Sequence, residues 1–183
     1  IIHPLCFFQV NYETATMIFQ KVRELVVINP NNTLLDLCCG VGIYSILLAD
    51  LFENVIGIDS NACNILTANQ VKDEFYPHYS IEYIADRVEN QVDKIRKMSN
   101  LTAIINPSRS GIPLKMIEFL KENLDKFDQI IYVSCNPQTL NRDLKMLDFS
   151  ENEICDVIPV NQFPQTDELE VIVNIILNGV YRS

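Results

Sequence analysis

Short apolar runs alternating with stretches of helical spacing constrain the fold of this chain more than any other feature. The runs occupy residues 34–38, 55–58, 81–84, 103–105 and 130–133. Near-continuous runs rich in β-branched residues are strands buried on both faces, and helices between them make a parallel sheet covered on both sides. Ile18, Val22 and Leu25 form one helical stripe, and Leu114, Ile117, Leu120 and Leu124 form another. Pro113 suits the first turn of that second helix, where its missing N–H costs nothing. The final third breaks the alternation. Residues 154–160 and 170–177 read as two strands whose connection leaves no room for a helix, hence an antiparallel hairpin at one edge of the sheet. The expected architecture is a Rossmann-like α/β domain, with a mostly parallel seven-stranded sheet, a C-terminal antiparallel hairpin and helices on both faces.

A length of 183 residues with 48% hydrophobic content suits one domain, residues 1–183, with a sizeable core. No apolar run reaches the ~18–20 residues that cross a bilayer, and no signal-peptide pattern opens the chain. The start, Ile1-Ile2-His3-Pro4, lacks a Met, so the chain reads as the C-terminal part of a longer protein. The net charge of −10 argues against a general affinity for polyanions. An enzyme acting on nucleic acid would need a local basic patch or a basic partner domain. Lys94, Arg96, Lys97, Lys115, Lys121, Arg142 and Lys145 are the candidates, most of them better read as solvated helix faces.

The six cysteines fall mostly in predicted strands and helices, contain no Cys-x-x-Cys pair and are accompanied by two His, which points away from a structural metal. Reduced thiols imply an intracellular compartment, whether cytoplasm, nucleus or mitochondrion. Cys38 and Cys39 are adjacent and would point to opposite faces of a strand.

Leu34-Leu35-Asp36-Leu37-Cys38-Cys39-Gly40-Val41-Gly42-Ile43 reads as strand, glycine turn and helix start. Gly40 and Gly42 would let the backbone turn tightly and approach a ligand. Seventeen residues after Gly42, Asp59 ends the next strand, where a carboxylate can accept hydrogen bonds from ribose hydroxyls. A nicotinamide dinucleotide usually wants Gly-x-Gly-x-x-Gly, but Ser45 takes the third glycine position. Asp36 suits a cationic ligand better than a phosphate. S-adenosylmethionine, with its sulfonium and ammonium, meets both conditions. Asp36 is read equally well as a structural acid capping the glycine loop. Asp86 is either an acceptor for an adenine amino group or a cap for the helix near Arg87. Asn106 ends the fourth strand, which flanks the switch point with the first. It should therefore face the same crevice as the loop 40–42.

Ile131-Tyr132-Val133-Ser134-Cys135-Asn136-Pro137 runs a buried strand into a thiol at its carboxyl end, and Glu170 follows thirty-five positions later at the start of another strand. A nucleophile and a base beside a cofactor pocket suggest covalent chemistry. That chemistry asks the site to lower the thiol pKa, and Arg109 is the nearest candidate to do so.

Five blocks together resemble the catalytic domain of the tRNA and rRNA uracil-5 methyltransferase family, its eukaryotic tRNA uracil-54 type above all. They are Phe7-Phe8-Gln9-Val10-Asn11 and residues 36–42, 106–111, 134–137 and 163–170, so the likeness covers most of the chain. The resemblance implies a class I S-adenosylmethionine-dependent methyltransferase fold. It implies Cys135 as nucleophile and Glu170 as general base. Gln9, Asp36, Cys38, Gly40, Gly42, Ile43, Asp59, Asp86 and Asn106 would lie on the cofactor side, and Asn106 and Arg109 on the substrate side. RNA, tRNA foremost, would be the partner, gripped with help from the family's amino-terminal RNA-binding module, which this chain does not contain. One position departs from the family pattern. Its fourth-strand motif opens with Asp and two prolines, whereas this chain has Asn106-Pro107-Ser108. An Asn accepts more weakly than a carboxylate and can also donate. The alternative reading is therefore a catalytically weakened paralogue that binds or folds RNA.

Overall fold

The chain runs through α1 (Tyr12–Leu25), β1 (Thr33–Leu37), α2 (Ile43–Leu48), β2 (Asn54–Asp59), α3 (Ala62–Phe75) and β3 (Ile81–Ala85). It continues through α4 (Val92–Ile95), β4 (Leu101–Ile105), α5 (Leu114–Glu122), β5 (Phe127–Ser134), α6 (Pro137–Leu147), β6 (Ile154–Asn161) and β7 (Leu169–Ile176). The structure is a computed structural model describing residues 12–29, 32–161 and 169–177. The strands form one seven-stranded sheet in the order β3-β2-β1-β4-β5-β7-β6. The first five are mutually parallel; β7 pairs antiparallel with β5 on one side and with β6 on the other.

Successive side chains of a strand face opposite ways, and the core obeys that period. Leu35, Leu37, Ile105 and Tyr132 pack in one layer with Met116, Ile117 and Leu120 of α5 and Leu140 of α6. Their neighbours Leu34, Ile104 and Ile131 pack in the other layer with Ile18, Val22 and Leu25 of α1 and Leu48 of α2. Both faces of the central strands are thus dry, as the continuous apolar runs require. On β6, at the edge, burial alternates residue by residue.

Two local expectations need correction. Pro113 is the N-cap of α5 rather than a first-turn residue, and Leu114 is 62% exposed. The buried stripe is instead Met116, Ile117, Phe119 and Leu120, because a helix starting at Leu114 turns its first residue outward. The second correction concerns the two adjacent cysteines. β1 ends at Leu37, and Cys38 adopts a left-handed φ of 63°, so Cys38 and Cys39 lie in the turn rather than on opposite strand faces. Cys135 likewise lies just past a strand, so three of the five free cysteines described occupy turns.

β1 and β4 are neighbours whose following helices belong to opposite layers, which opens a crevice at their carboxyl ends. The Asn106 amide donates to the Leu37 carbonyl at 3.3 Å, bringing Asn106 beside the turn that leads to Gly40.

Candidate active site

Cys135 lies in the two-residue link between β5 and α6, and both sides of the link are fixed. Ser134, buried, donates through Oγ to the Asn136 carbonyl and accepts from the Asn136 amide, both at 3.1 Å. Asn136 caps α6, its Oδ1 accepting from the amides of Gln138 at 3.0 Å and Thr139 at 3.4 Å. Pro137 opens the helix, where no intrahelical N–H is needed. The thiol is half-buried on a rigid corner.

Antiparallel pairing brings the carboxylate to it. The β5–β7 ladder runs from Gln129 opposite Ile176 to Ser134 opposite Val171. Cys135 and Glu170 are the next residues beyond that last pair; Glu170 is only 4% exposed, and its charge acts on the thiol. Arg109, in the loop after β4, brings its positive charge to bear on the thiol and favours its ionised form. Cys135, Glu170 and Arg109 therefore meet, although they lie on three separate segments of the chain.

The electrostatic expectation for Cys135 is overturned. The thiol pKa is raised, first by burial and then by the Glu170 carboxylate; Arg109 pulls it down without reversing the sign. In the resting site Cys135 is a thiol, and Arg109 limits how far its pKa climbs.

On the cofactor side, Gly40 and Gly42 both take left-handed φ values, 57° and 79°. They do different work. A Cβ at Gly40 would meet nothing within 4 Å, so this turn faces open space. A Cβ at Gly42 would collide with the Tyr83 ring, whose hydroxyl donates to the Gly42 carbonyl at 3.3 Å. Gly42 thus makes room for a tyrosine of β3 rather than for a ligand. Nothing in the sequence around Tyr83 signals this, because the two partners are 41 positions apart. Ile43, half-buried, is the first residue of α2. Cys38 is half-buried, its thiol pushed up to about 12 by burial and by Asp59.

Asp59 ends β2 and organises the loop. Its Oδ2 accepts from the Gly40 amide at 2.9 Å, and its Oδ1 accepts from Asn61 N at 2.8 Å and Asn64 Nδ2 at 3.3 Å. A carboxylate has about four acceptor sites, so one hydrogen bond to a ligand remains within reach. Asp86 has its oxygens on Arg87 N, Asn90 Nδ2 and Gln91 Nε2, at 2.7, 2.7 and 2.8 Å. These bonds, to Asn90 first, hold its carboxyl below the usual range. The cap of the short turn Val88–Asn90 is Arg87, so Asp86 braces that turn through the Asn90 and Gln91 side chains without capping it.

Asp36 is fully buried on β1, where its Oδ2 takes the Ser45 amide at 2.9 Å and the Ser45 hydroxyl at 2.6 Å. Here too the contacts are those of the structural reading, an acid that ties the start of α2 to β1. Burial pushes Asp36 up to about 6. An unfolded Asp releases its proton near pH 4, whereas the folded one keeps it until about pH 6, so rising pH across that window favours unfolding. Asp36→Asn keeps an acceptor for Ser45 and does not titrate. Denaturant unfolding of both proteins at a series of pH values should find the wild type losing about 3 kcal/mol relative to the variant across the window. A difference independent of pH would mean that Asp36 is not charged against its burial.

A glycine turn facing open space at Gly40, a strand-end carboxylate with one acceptor site left and a half-buried Asn106 fit a nucleoside ligand such as S-adenosylmethionine. Gln9 and residues 163–168 lie outside the described residues. Of the basic side chains considered for RNA, Lys94 pairs with Glu82 at 2.5 Å and Arg96 with Glu122 at 3.4 Å.

The sequence profile of the tRNA (Uracil-5-)-methyltransferase family matches residues 3–178. A tRNA (uracil(54)-C(5))-methyltransferase from Pyrococcus abyssi is 34% identical over 96% of this chain and 40% of its own length. A putative RNA methyltransferase of Acanthamoeba polyphaga mimivirus is 33% identical over 91% of this chain and 45% of its own. The chain thus spans about two fifths of these relatives. The crystal structure of Pyrococcus abyssi tRNA (uracil-54, C5)-methyltransferase in complex with S-adenosyl-L-homocysteine superposes with a TM-score of 0.76 at 32% identity, covering 95% of this chain and 41% of that one. An rRNA methylase from Streptococcus thermophilus shares the fold, with a TM-score of 0.69 at 16% identity over 90% of this chain and 97% of that one. Since the profile runs through nearly all of the chain and through the strands that carry Cys135 and Glu170, this chain belongs to the tRNA (Uracil-5-)-methyltransferase family.

Proposed function

We propose that the full-length protein transfers a methyl group from S-adenosylmethionine to carbon 5 of a uridine in RNA, tRNA foremost, through a covalent Cys135–uracil adduct. The observation that carries this reading is that Glu170 and Arg109 both act on the Cys135 thiol, at the end of the β5–β7 ladder. Carbon 5 of uracil is too weak a nucleophile to be methylated unaided. The Cys135 thiolate adds to carbon 6, and the electrons of the carbon 5–carbon 6 double bond move toward the carbonyl at carbon 4 to form an enolate, nucleophilic at carbon 5. S-adenosylmethionine, when bound, supplies the methyl that carbon 5 takes up. Glu170 then removes the proton left on carbon 5, the double bond reforms and the Cys135 thiolate leaves.

Asp59 would hold the ribose through its remaining acceptor site, and Asn106, tied beside the turn that leads to Gly40, would contact the cofactor or the base. The loop 38–43 packs against the cofactor, Asp36 contributing by holding that loop from within. Gln9 is assigned to the cofactor as well. Because the thiol is protonated at rest, its proton must pass to water at the half-buried site before addition, and Arg109 favours the thiolate that remains. The target base must leave its stack, a cost of a few kcal/mol. Parts of the protein beyond this acidic chain would meet that cost by gripping the RNA.

The test uses full-length protein, S-adenosylmethionine and tRNA substituted with 5-fluorouridine. Fluorine cannot leave as a proton, so the reaction should stop as an RNA–protein complex that survives denaturation. No complex, with cofactor binding intact, would instead indicate a catalytically weakened paralogue, and Asn106→Asp would be the substitution expected to restore adduct formation.

A further inference from the structure

We propose that α6 is a clamp that sets Arg109 against Cys135, with Arg142, Asp143 and Thr139 as its positioning residues. This rests on the assignment of Cys135 as nucleophile. The loop from Asn106 to Pro113 contains no helix or strand of its own, yet it is tied to α6 at successive points. Asn136 Nδ2 and Thr139 Oγ1 both donate to the Arg109 carbonyl, at 3.2 and 3.3 Å. Arg142 Nη2 donates to the carbonyls of Ser110 at 3.0 Å and Ile112 at 3.4 Å. The Ile112 amide donates to Asp143 Oδ2 at 2.8 Å.

Asp143 is the centre of this arrangement. It is fully buried, and its Oδ2 also accepts from Tyr132 of β5 at 2.6 Å. Its Oδ1 accepts from Arg142 Nε at 2.8 Å and pairs with Arg142 Nη2 at 2.5 Å. A buried carboxylate is tolerated only when charge and hydrogen bonds satisfy it, and here the groups that satisfy it come from the loop, β5 and α6. The fit is close. A Cβ at Gly111 would run into the Asp143 carboxylate.

Positions 136, 139, 142 and 143 lie at helical spacing on one face, and α6 begins two residues after Cys135. One rigid element therefore fixes both the nucleophile at its amino end and the loop that carries Arg109. An exposed guanidinium on an untied loop would spend its time in solvent, and displacements near 1 Å are costly in a site of this kind. Among the charges that act on the thiol, Arg109 is the cation; Arg142 reaches Cys135 only through the loop.

The test reads the thiol itself. Alkylation of Cys135 by iodoacetamide in the full-length protein is followed peptide by peptide by mass spectrometry as a function of pH. Arg109→Ala should move the alkylation midpoint upward. A rise of one pH unit should slow alkylation near neutral pH about threefold, since a less acidic thiolate is also the better nucleophile. Arg142→Gln and Thr139→Val, the second altering no charge, should move the midpoint the same way. Arg142→Gln added to Arg109→Ala should move it no further, the non-additivity expected of residues acting through one another. Arg142→Gln also takes the charge partner from the buried Asp143, so Thr139→Val, which leaves that pair intact, is the variant that separates a lost clamp from a loosened fold. A wild-type midpoint in both Arg142→Gln and Thr139→Val, or shifts that add in the double variant, would overturn the clamp. Neither RNA nor cofactor enters this measurement. A failed clamp leaves the 5-fluorouridine adduct unaffected, and a missing adduct leaves the alkylation result standing.

Discussion

Full-length protein carrying Cys135→Ala should form no covalent complex with 5-fluorouridine tRNA and should lose methyl transfer by about 10⁴-fold or more. Glu170→Gln should behave differently. Addition of the thiolate and uptake of the methyl need no base at carbon 5, so the adduct still forms. The amide cannot take the remaining proton, elimination stalls, and the complex accumulates even on ordinary uridine. Turnover should fall about 10²–10⁴-fold, the usual contribution of a general base. Denaturing gels of each variant with unmodified and fluorinated tRNA read both steps. The contrast follows from the proposed roles, in which two groups brought together at the end of one ladder serve different steps of the reaction. If Glu170→Gln instead gave no adduct, Glu170 would be needed for addition, for example to take the thiol proton.

Gly42→Ala should destabilise the protein by roughly 2–5 kcal/mol. A left-handed φ of 79° costs a non-glycine residue about 1–2 kcal/mol, and the new methyl drives into Tyr83, an overpacking that costs about 1–3 kcal/mol. For a domain of this size the melting temperature should drop roughly 5–15 °C. Tyr83→Leu in the Gly42→Ala background should recover the part due to the clash but not the part due to the backbone. Thermal unfolding of the two single variants and the double variant separates the terms. Recovery of nothing would mean that the backbone conformation carries the whole cost. Gly40→Ala at φ 57°, with open space around its Cβ, should show the backbone cost alone.

The central strands were readable because they are runs of apolar residues whose burial is nearly complete, as along β4 and β5. Errors gathered where a single turn decides direction. Cys38 and Cys39 looked like strand residues by composition, but the chain turns left-handed immediately after Leu37. Leu114 looked like a member of the core stripe, but the starting point of α5 rotates it into solvent. The Cys135 pKa could not be read from neighbours in sequence, because its second-largest influence, Glu170, arrives from thirty-five residues away.

Local patterning is enough to specify a parallel α/β sheet with a terminal hairpin, a glycine turn after the first strand and a thiol and carboxylate on late strands. Those features depend on periodicity and on residue type, both of which are written along the chain. Three others depend on which segments become neighbours. Insertion of β7 between β5 and β6 sets Glu170 against Cys135. The ring of Tyr83 claims the space at Gly42. The buried Asp143 gathers the Arg109 loop onto α6. Each joins residues tens of positions apart, and only packing, with its need to fill space and satisfy buried polar groups, selects such partners.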